Sequence, residues 1–204
     1  MSVNLVKGQK ISLVKPDGGL KRVMVGLGWD EAQPTAKGLR ALFAPRPQAL
    51  DCDASAILLG ADGKLVSHSI SQNTVYFGNL RHASGAIVHQ GDNLTGEGEG
   101  DDEQIMVDLP SVPQNIDKIV FVVNIYDAQV RNQHFGMIKN AFIRIVDMSG
   151  NKEICRYSLT DDYSGMTGLI VGEIYRNGGE WKFSAVGQGI REASRLDKLI
   201  KLYQ

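Results

Sequence analysis

The chain has 204 residues, of which 43% are apolar and 22% charged, with a net charge of −1. Usage this close to the globular average excludes disordered, collagenous and coiled-coil classes, and the length suits one domain around one core. No run of eighteen apolar residues offers a membrane span, and the clustered charge is acidic, the wrong sign for a nucleic-acid backbone.

In chain order, the N-terminal MSVNLVKGQK has no apolar core of a leader, so a cytoplasmic protein is expected. Short runs rich in Val, Ile, Phe and Tyr then recur between turn signals, the pattern of sandwich or barrel strands. About eleven strands are expected: Lys10 to Val14, Arg22 to Leu27, Ala54 to Leu59, Thr74 to Phe77, Ala86 to His89, Ile105 to Leu109, Lys118 to Ile125, Ala141 to Asp147, Glu153 to Leu159, Gly168 to Tyr175 and Trp181 to Gly187. Hairpin turns are signalled at Asp62-Gly63, Ser149-Gly150-Asn151 and Asn177-Gly178-Gly179, which tolerate positive φ. Antiparallel pairing follows.

Residues 31–50 hold three prolines without sustained periodicity and read as a surface insertion, in which Leu39, Leu42 and Phe43 suit one helical turn packed on the domain. Arg131, Asn132 and Gln133 read as a turn. In residues 190–204, Leu196, Leu199, Ile200 and Tyr203 recur at three and four, which predicts a short amphipathic C-terminal helix with a solvated face of Arg191, Arg195, Lys198 and Lys201. Alternation places Trp181 and Phe183 on one strand face, and both Trp29 and Trp181 read as packing residues. Cys52 and Cys155 lack CxxC spacing and read as buried free thiols.

The chemistry concentrates in Gly91-Asp92-Asn93-Leu94-Thr95-Gly96-Glu97-Gly98-Glu99-Gly100-Asp101-Asp102-Glu103. Residues 92–103 carry a net −6, leaving +5 on the rest of a chain that totals −1. Hard oxygen donors on a glycine-rich backbone suit calcium, which takes six to eight oxygens in irregular geometry; without His or Cys, zinc and copper are disfavoured. The loop is no EF-hand, because Leu94, Gly96 and Glu97 occupy its third, fifth and sixth positions, and no Lys follows to make a phosphate-binding loop. An isolated acidic stretch is usually just solvated. Two further segments argue otherwise: Asp51 and Asp53 share one strand face, and Asp30 closes Gly26-Leu27-Gly28-Trp29-Asp30 where a strand leaves its sheet. A composite calcium site is expected, one that stabilises the fold when loaded.

At these residues the chain resembles the TerD family of bacterial tellurite-resistance and general-stress proteins. The resemblance is carried by VGLGWD (25–30), DCDAS (51–55), GDNLTGEGEGDDE (91–103), NAFIRIVD (140–147) and GEIYRNGGEWKFSAVGQG (172–189). It implies an all-β fold, a β-sandwich of two mainly antiparallel sheets, and two adjacent Ca2+ ions. It also implies cytoplasmic stress resistance near the inner face of the membrane, with partners in the same resistance system. Carried over by position, the metal set is Asp30, Asp51, Asp53, Asp92, Asn93, Asp101, Asp102 and Glu103, with Gly96 and Gly100 as carbonyl donors. Many members read DFDLDAS where this chain has Ala49 in place of the first aspartate. A metal-dependent hydrolase using the acidic cluster, and a calcium-dependent docking module for lipid or protein, are the alternatives.

Overall fold

A computed structural model describes residues 2–15, 18–31, 49–91 and 100–204. The expected surface insertion, with Leu39, Leu42 and Phe43, falls within residues 32–48 and so lies outside the described residues.

Strands follow in the order β1 (Val3–Leu5), β2 (Lys10–Ser12), β3 (Val14–Lys15), β4 (Gly18–Gly19), β5 (Arg22–Glu31), β6 (Cys52–Leu59) and β7 (Thr74–Val75). They continue with β8 (Ile87–His89), β9 (Glu103–Asp108), β10 (Lys118–Ile125), β11 (Ile138–Asp147), β12 (Lys152–Ser158), β13 (Gly168–Asn177) and β14 (Glu180–Ile190). Helical turns are α1 (Ile70–Asn73), α2 (Ala128–Arg131) and α3 (Leu196–Ile200). All eleven expected strands form, mostly within a few residues of the expected bounds. β5 runs four residues beyond the expected Leu27, because Asp30 and Glu31 still pair with Lys139 and Ile138.

Two six-stranded sheets result, ordered β1-β12-β11-β5-β9-β8 and β2-β14-β13-β10-β6-β7, with β3 and β4 as a separate ribbon. Pairing is antiparallel apart from β1 against β12. The hairpins β11–β12 and β13–β14 close where expected, with Asn151 at φ 47° and Gly178 and Gly179 at 60° and 84°. The Asp62-Gly63 turn instead closes only an isolated bridge, Leu59 to Leu65.

The sheets differ in how they are covered, and the sequence pattern follows. In β9, Glu103, Ile105 and Val107 are buried while Gln104, Met106 and Asp108 are half-exposed, the alternation of a strand with one solvated face. β6 is buried at every position and β10 at all but its first. Their inward residues, such as Leu58 and Phe121, join the inter-sheet core, which also holds Leu27, Ile105, Ile143 and Phe183. Their outward residues Ile57, Leu59, Val120 and Val122 meet Leu199 and Ile200 of α3 in a second cluster. The terminal helix is shorter than the expected 190–204: β14 continues to Ile190, α3 begins at Leu196, and a 3-10 turn follows at Lys201–Tyr203. Cys52 and Cys155 are buried and unbonded, and Trp29 is buried in the core.

Candidate functional site

Three strand ends meet at one end of the sandwich. Antiparallel pairing sets Leu27 of β5 opposite Glu103 of β9, so the exit of β5 adjoins the entrance of β9. Across the core, the Ala54 N–H of β6 donates to Glu103 Oε2 at 2.5 Å, which brings the entrance of β6 to the same place and ties the two sheets together. His89 Nε2 lies 3.5 Å from the same carboxylate oxygen and 3.2 Å from the Ala54 carbonyl. Glu103 and His89 are both buried.

Alternation then distributes the remaining acids. Trp29 faces the core, and its N–H donates to Asp102 Oδ2 at 2.6 Å. Asp30 faces outward and accepts from Asn140 Nδ2 at 2.7 Å. Cys52 points inward, so Asp51 and Asp53 point outward. Asp53 accepts from Asn124 Nδ2 at 3.1 Å, and Asp51 stands 3.6 Å from the Arg131 guanidinium, which the α2 turn presents. Asp127 and Asn132, in left-handed conformation at φ 49° and 53°, bound that helical turn on either side. Glu31, which sequence reasoning did not select, accepts from the Leu50 N–H at 2.5 Å.

Asp101 is engaged elsewhere. Arg144 of β11 grips its carboxylate in a two-pronged pair, Nε to Oδ1 at 2.7 Å and Nη2 to Oδ2 at 2.9 Å, and Gln104 Nε2 adds a third contact at 3.1 Å. The side chain is fully buried over Gly26, where any Cβ would collide with the carboxylate. A Cβ on Gly28 would likewise stand 2.7 Å from the Gly100 carbonyl and against the Phe142 ring. The glycines of VGLGWD thus let Gly100 and Asp101, near the end of the acidic segment, lie flat on the sheet. The segment 92–99 is bracketed by Gly91 and Gly100 at φ 119° and 126°, conformations that side chains resist.

The electrostatics mark the same end. Burial raises the Cys52 thiol well above its ordinary value, and Asp53, Glu103, Asp51 and Glu31 raise it further, so four carboxylates act on one sulfur. Burial also raises Asp102, reinforced by Asp30 and Asp101 and opposed by the Trp29 N–H. The structure therefore brings Asp30, Asp51, Asp53, Gly100, Asp102 and Glu103 to one end, with Asp101 held to the outer sheet face by Arg144. Asp92, Asn93 and Gly96 lie outside the described residues. Among the described residues no group of three or more His, Cys, Asp or Glu is arranged to hold a metal ion.

The hydrolase alternative gains no support here. His82 Nδ1 is engaged with Ser84, His134 Nδ1 accepts from the Gly136 N–H, and His89 is sealed inside on Glu103. Sequence reasoning also missed Arg144, Asn124 and Arg131. A charged or amide residue inside an apolar strand, as in FIRIV and VVNIY, was the available signal for the first two. No helix of the described residues is long and apolar enough to cross a membrane.

The comparisons agree with this architecture. The TerD domain profile matches residues 1–203. The chain is 51% identical over 203 residues to the stress response protein SCP2 of Bacillus subtilis, covering all of both chains. It is 46% identical to the tellurium resistance protein TerD of Serratia marcescens, covering 93% of this chain and 91% of that one. In three dimensions it resembles a Streptomyces coelicolor homologue of the telluride resistance protein TerD, with TM-score 0.59 and 25% identity, over 84% of this chain and 91% of that one. A two-sheet sandwich with Gly100 and Asp101 lying on the glycines of VGLGWD, matched by the domain profile over residues 1–203, makes this chain a member of the TerD family.

Proposed function

We propose that this chain is a calcium-binding stress-response protein of the tellurium-resistance kind, acting as a binding module rather than as an enzyme. The observation that carries the calcium reading is the meeting of the β5, β6 and β9 ends, which brings Asp30, Asp51, Asp53, Asp102 and Glu103 to one end of the sandwich. Like charges so gathered oppose folding, and a dication turns that repulsion into attraction. The donor chemistry fits a hard cation. The reachable atoms are carboxylate and backbone oxygens, the Cys52 thiol faces the core, and the His89 ring is committed to Glu103 and Ala54.

Asp30, Asp102 and Glu103 from one sheet, and Asp51 and Asp53 from the other, would hold calcium together with Asp92, Asn93 and the carbonyls of Gly96 and Gly100. Among the described residues those side chains do not by themselves form a ligand group, and the proposal therefore requires donors from the 92–99 segment. Two ions are proposed, the one beside Asp51 and Asp53 binding more weakly because Ala49 replaces an aspartate. Calcium supplies charge neutralisation and a clamp between the strand ends.

The setting proposed is the cytoplasm, against the inner face of the membrane and with other resistance-system proteins. Arg191, Arg195, Lys198 and Lys201 are all exposed near the C-terminus, which suits an anionic surface. Thermal melting tests the calcium reading: at a hundred-fold excess over its Kd, calcium adds about 2.7 kcal/mol of stability by mass action. A melting temperature equal in calcium and in EDTA contradicts it.

A further inference from the structure

On the outer face of the second sheet, beside α3, lies a cavity of about 220 Å³. Asp53 and Ser55 of β6 and Asn124 of β10 form its polar floor, with Asp53 and Asn124 directly opposed in register. These three are 6%, 1% and 2% exposed. Asn124 spends an amide N–H on Asp53, which turns its Oδ1 the other way, and among the described residues neither that oxygen nor Ser55 Oγ meets a hydrogen-bond partner. Buried acceptors left in this state call for a donor, and the cavity is where one can enter.

The walls are of another kind. Tyr76 and Phe77 stand edge to face at 5.4 Å, and Tyr126 and Ile200 complete an apolar sleeve. Phe77 and Tyr126 are 48% and 38% exposed, so the sleeve opens to solvent. Of the charged groups lining the cavity, Asp53 and Asp197 outnumber Arg195.

We propose that this cavity binds a small organic ammonium, a primary amine carrying a short aliphatic or aromatic tail. A protonated amine brings three N–H donors to the Asp53 carboxylate, Asn124 Oδ1 and Ser55 Oγ, all acceptors. Its charge matches the lining, and aromatic faces favour a cation. Its tail occupies the apolar sleeve. A bare divalent ion is a poorer occupant, since calcium takes six or more oxygens and the floor offers three residues beneath apolar walls. The volume lies below the ~300–1,000 Å³ of clefts for drug-sized ligands, which sets the ligand's size. This site overlaps the proposed calcium-binding set at Asp53 alone.

The test is a ligand-observed NMR titration of the full chain in EDTA, comparing phenethylamine and hexylamine with phenethyl alcohol and hexanol. Both amines are expected to bind at least about tenfold more tightly than the alcohols of the same shape, a difference of 1.4 kcal/mol. Asn124→Ala and Phe77→Ala are each expected to weaken amine binding about tenfold. Phe77 is half-exposed, so its variant folds and keeps any calcium-induced shift in melting temperature. Equal binding of alcohols and amines, no binding of either, or binding indifferent to both substitutions overturns the proposal. Displacement of the amine by one equivalent of calcium also overturns it, making the floor part of the metal site. Amine binding without any calcium shift upholds it while removing the calcium reading.

Discussion

At the scale of single residues, the neighbouring acids Asp101 and Asp102 differ in kind, one held by a cationic partner and the other raised by burial and neighbouring carboxylates. Asp101 belongs to the first kind. Its two-pronged pair with Arg144 is buried on the carboxylate side, and that hydrogen bond holds the guanidinium above its ordinary value against the opposing effect of burial. Removing one member of such a pair strands the other, so Arg144→Ala should cost about 3 kcal/mol in chemical denaturation, whereas Asp101→Asn in that background should recover part of the loss. Asp102 belongs to the second kind. Its raised carboxyl means that the stability it contributes is full below the unfolded-state pKa and is lost as pH rises through the folded-state value. At neutral pH without calcium it therefore works against folding. Asp102→Asn, which keeps an oxygen for the Trp29 N–H, should raise the melting temperature in EDTA at pH 7, lose that advantage in acid, and diminish the gain from calcium. A melting temperature lowered equally at both pH values would show that Asp102 is only a structural hydrogen-bond acceptor.

At the scale of elements, strand type was legible wherever periodicity was strong. The alternation of β9 and the unbroken apolar runs of β6 and β10 report one-sided and two-sided burial respectively. β1 went unread because Val3-Asn4-Leu5 buries only Leu5, too little to make a pattern. Residues 131–133 read as a turn, but the helical turn before them went unread because left-handed Asp127 and Asn132 bound it and no apolar stripe marks it. Of the acidic end, alternation showed that Asp51 and Asp53 share a face, and the segments that meet there were all named. What the sequence hid were the partners. Arg144 lies 43 residues from Asp101, and only sheet register brings them together. The terminal helix was legible from its stripe, and its role follows from what it covers. Leu199 is fully buried on the outer face of the second sheet, so Leu199→Ala should destabilise by about 2–4 kcal/mol in a urea titration. A cost under 1 kcal/mol would mean that the helix rests on the sheet without holding it.

At the scale of the whole molecule, the sandwich carries Asp30, Asp51, Asp53, Asp102 and Glu103 on strand ends that meet at one end. The Glu103 to Ala54 bond and the surrounding core bring those strand ends together. Family membership, the gathered carboxylates and the glycine-bracketed 92–99 segment all bear on one central claim, that the end of the sandwich is built for calcium. Isothermal titration calorimetry of the calcium-free chain with calcium, run beside magnesium, tests it most directly. The account predicts saturable calcium binding with a tight and a weaker step, little competition from magnesium, and loss of heat in an Asp102→Asn, Glu103→Gln double variant that still melts cooperatively. No saturable heat with calcium, or identical isotherms for calcium and magnesium in the parent and the double variant, would contradict it.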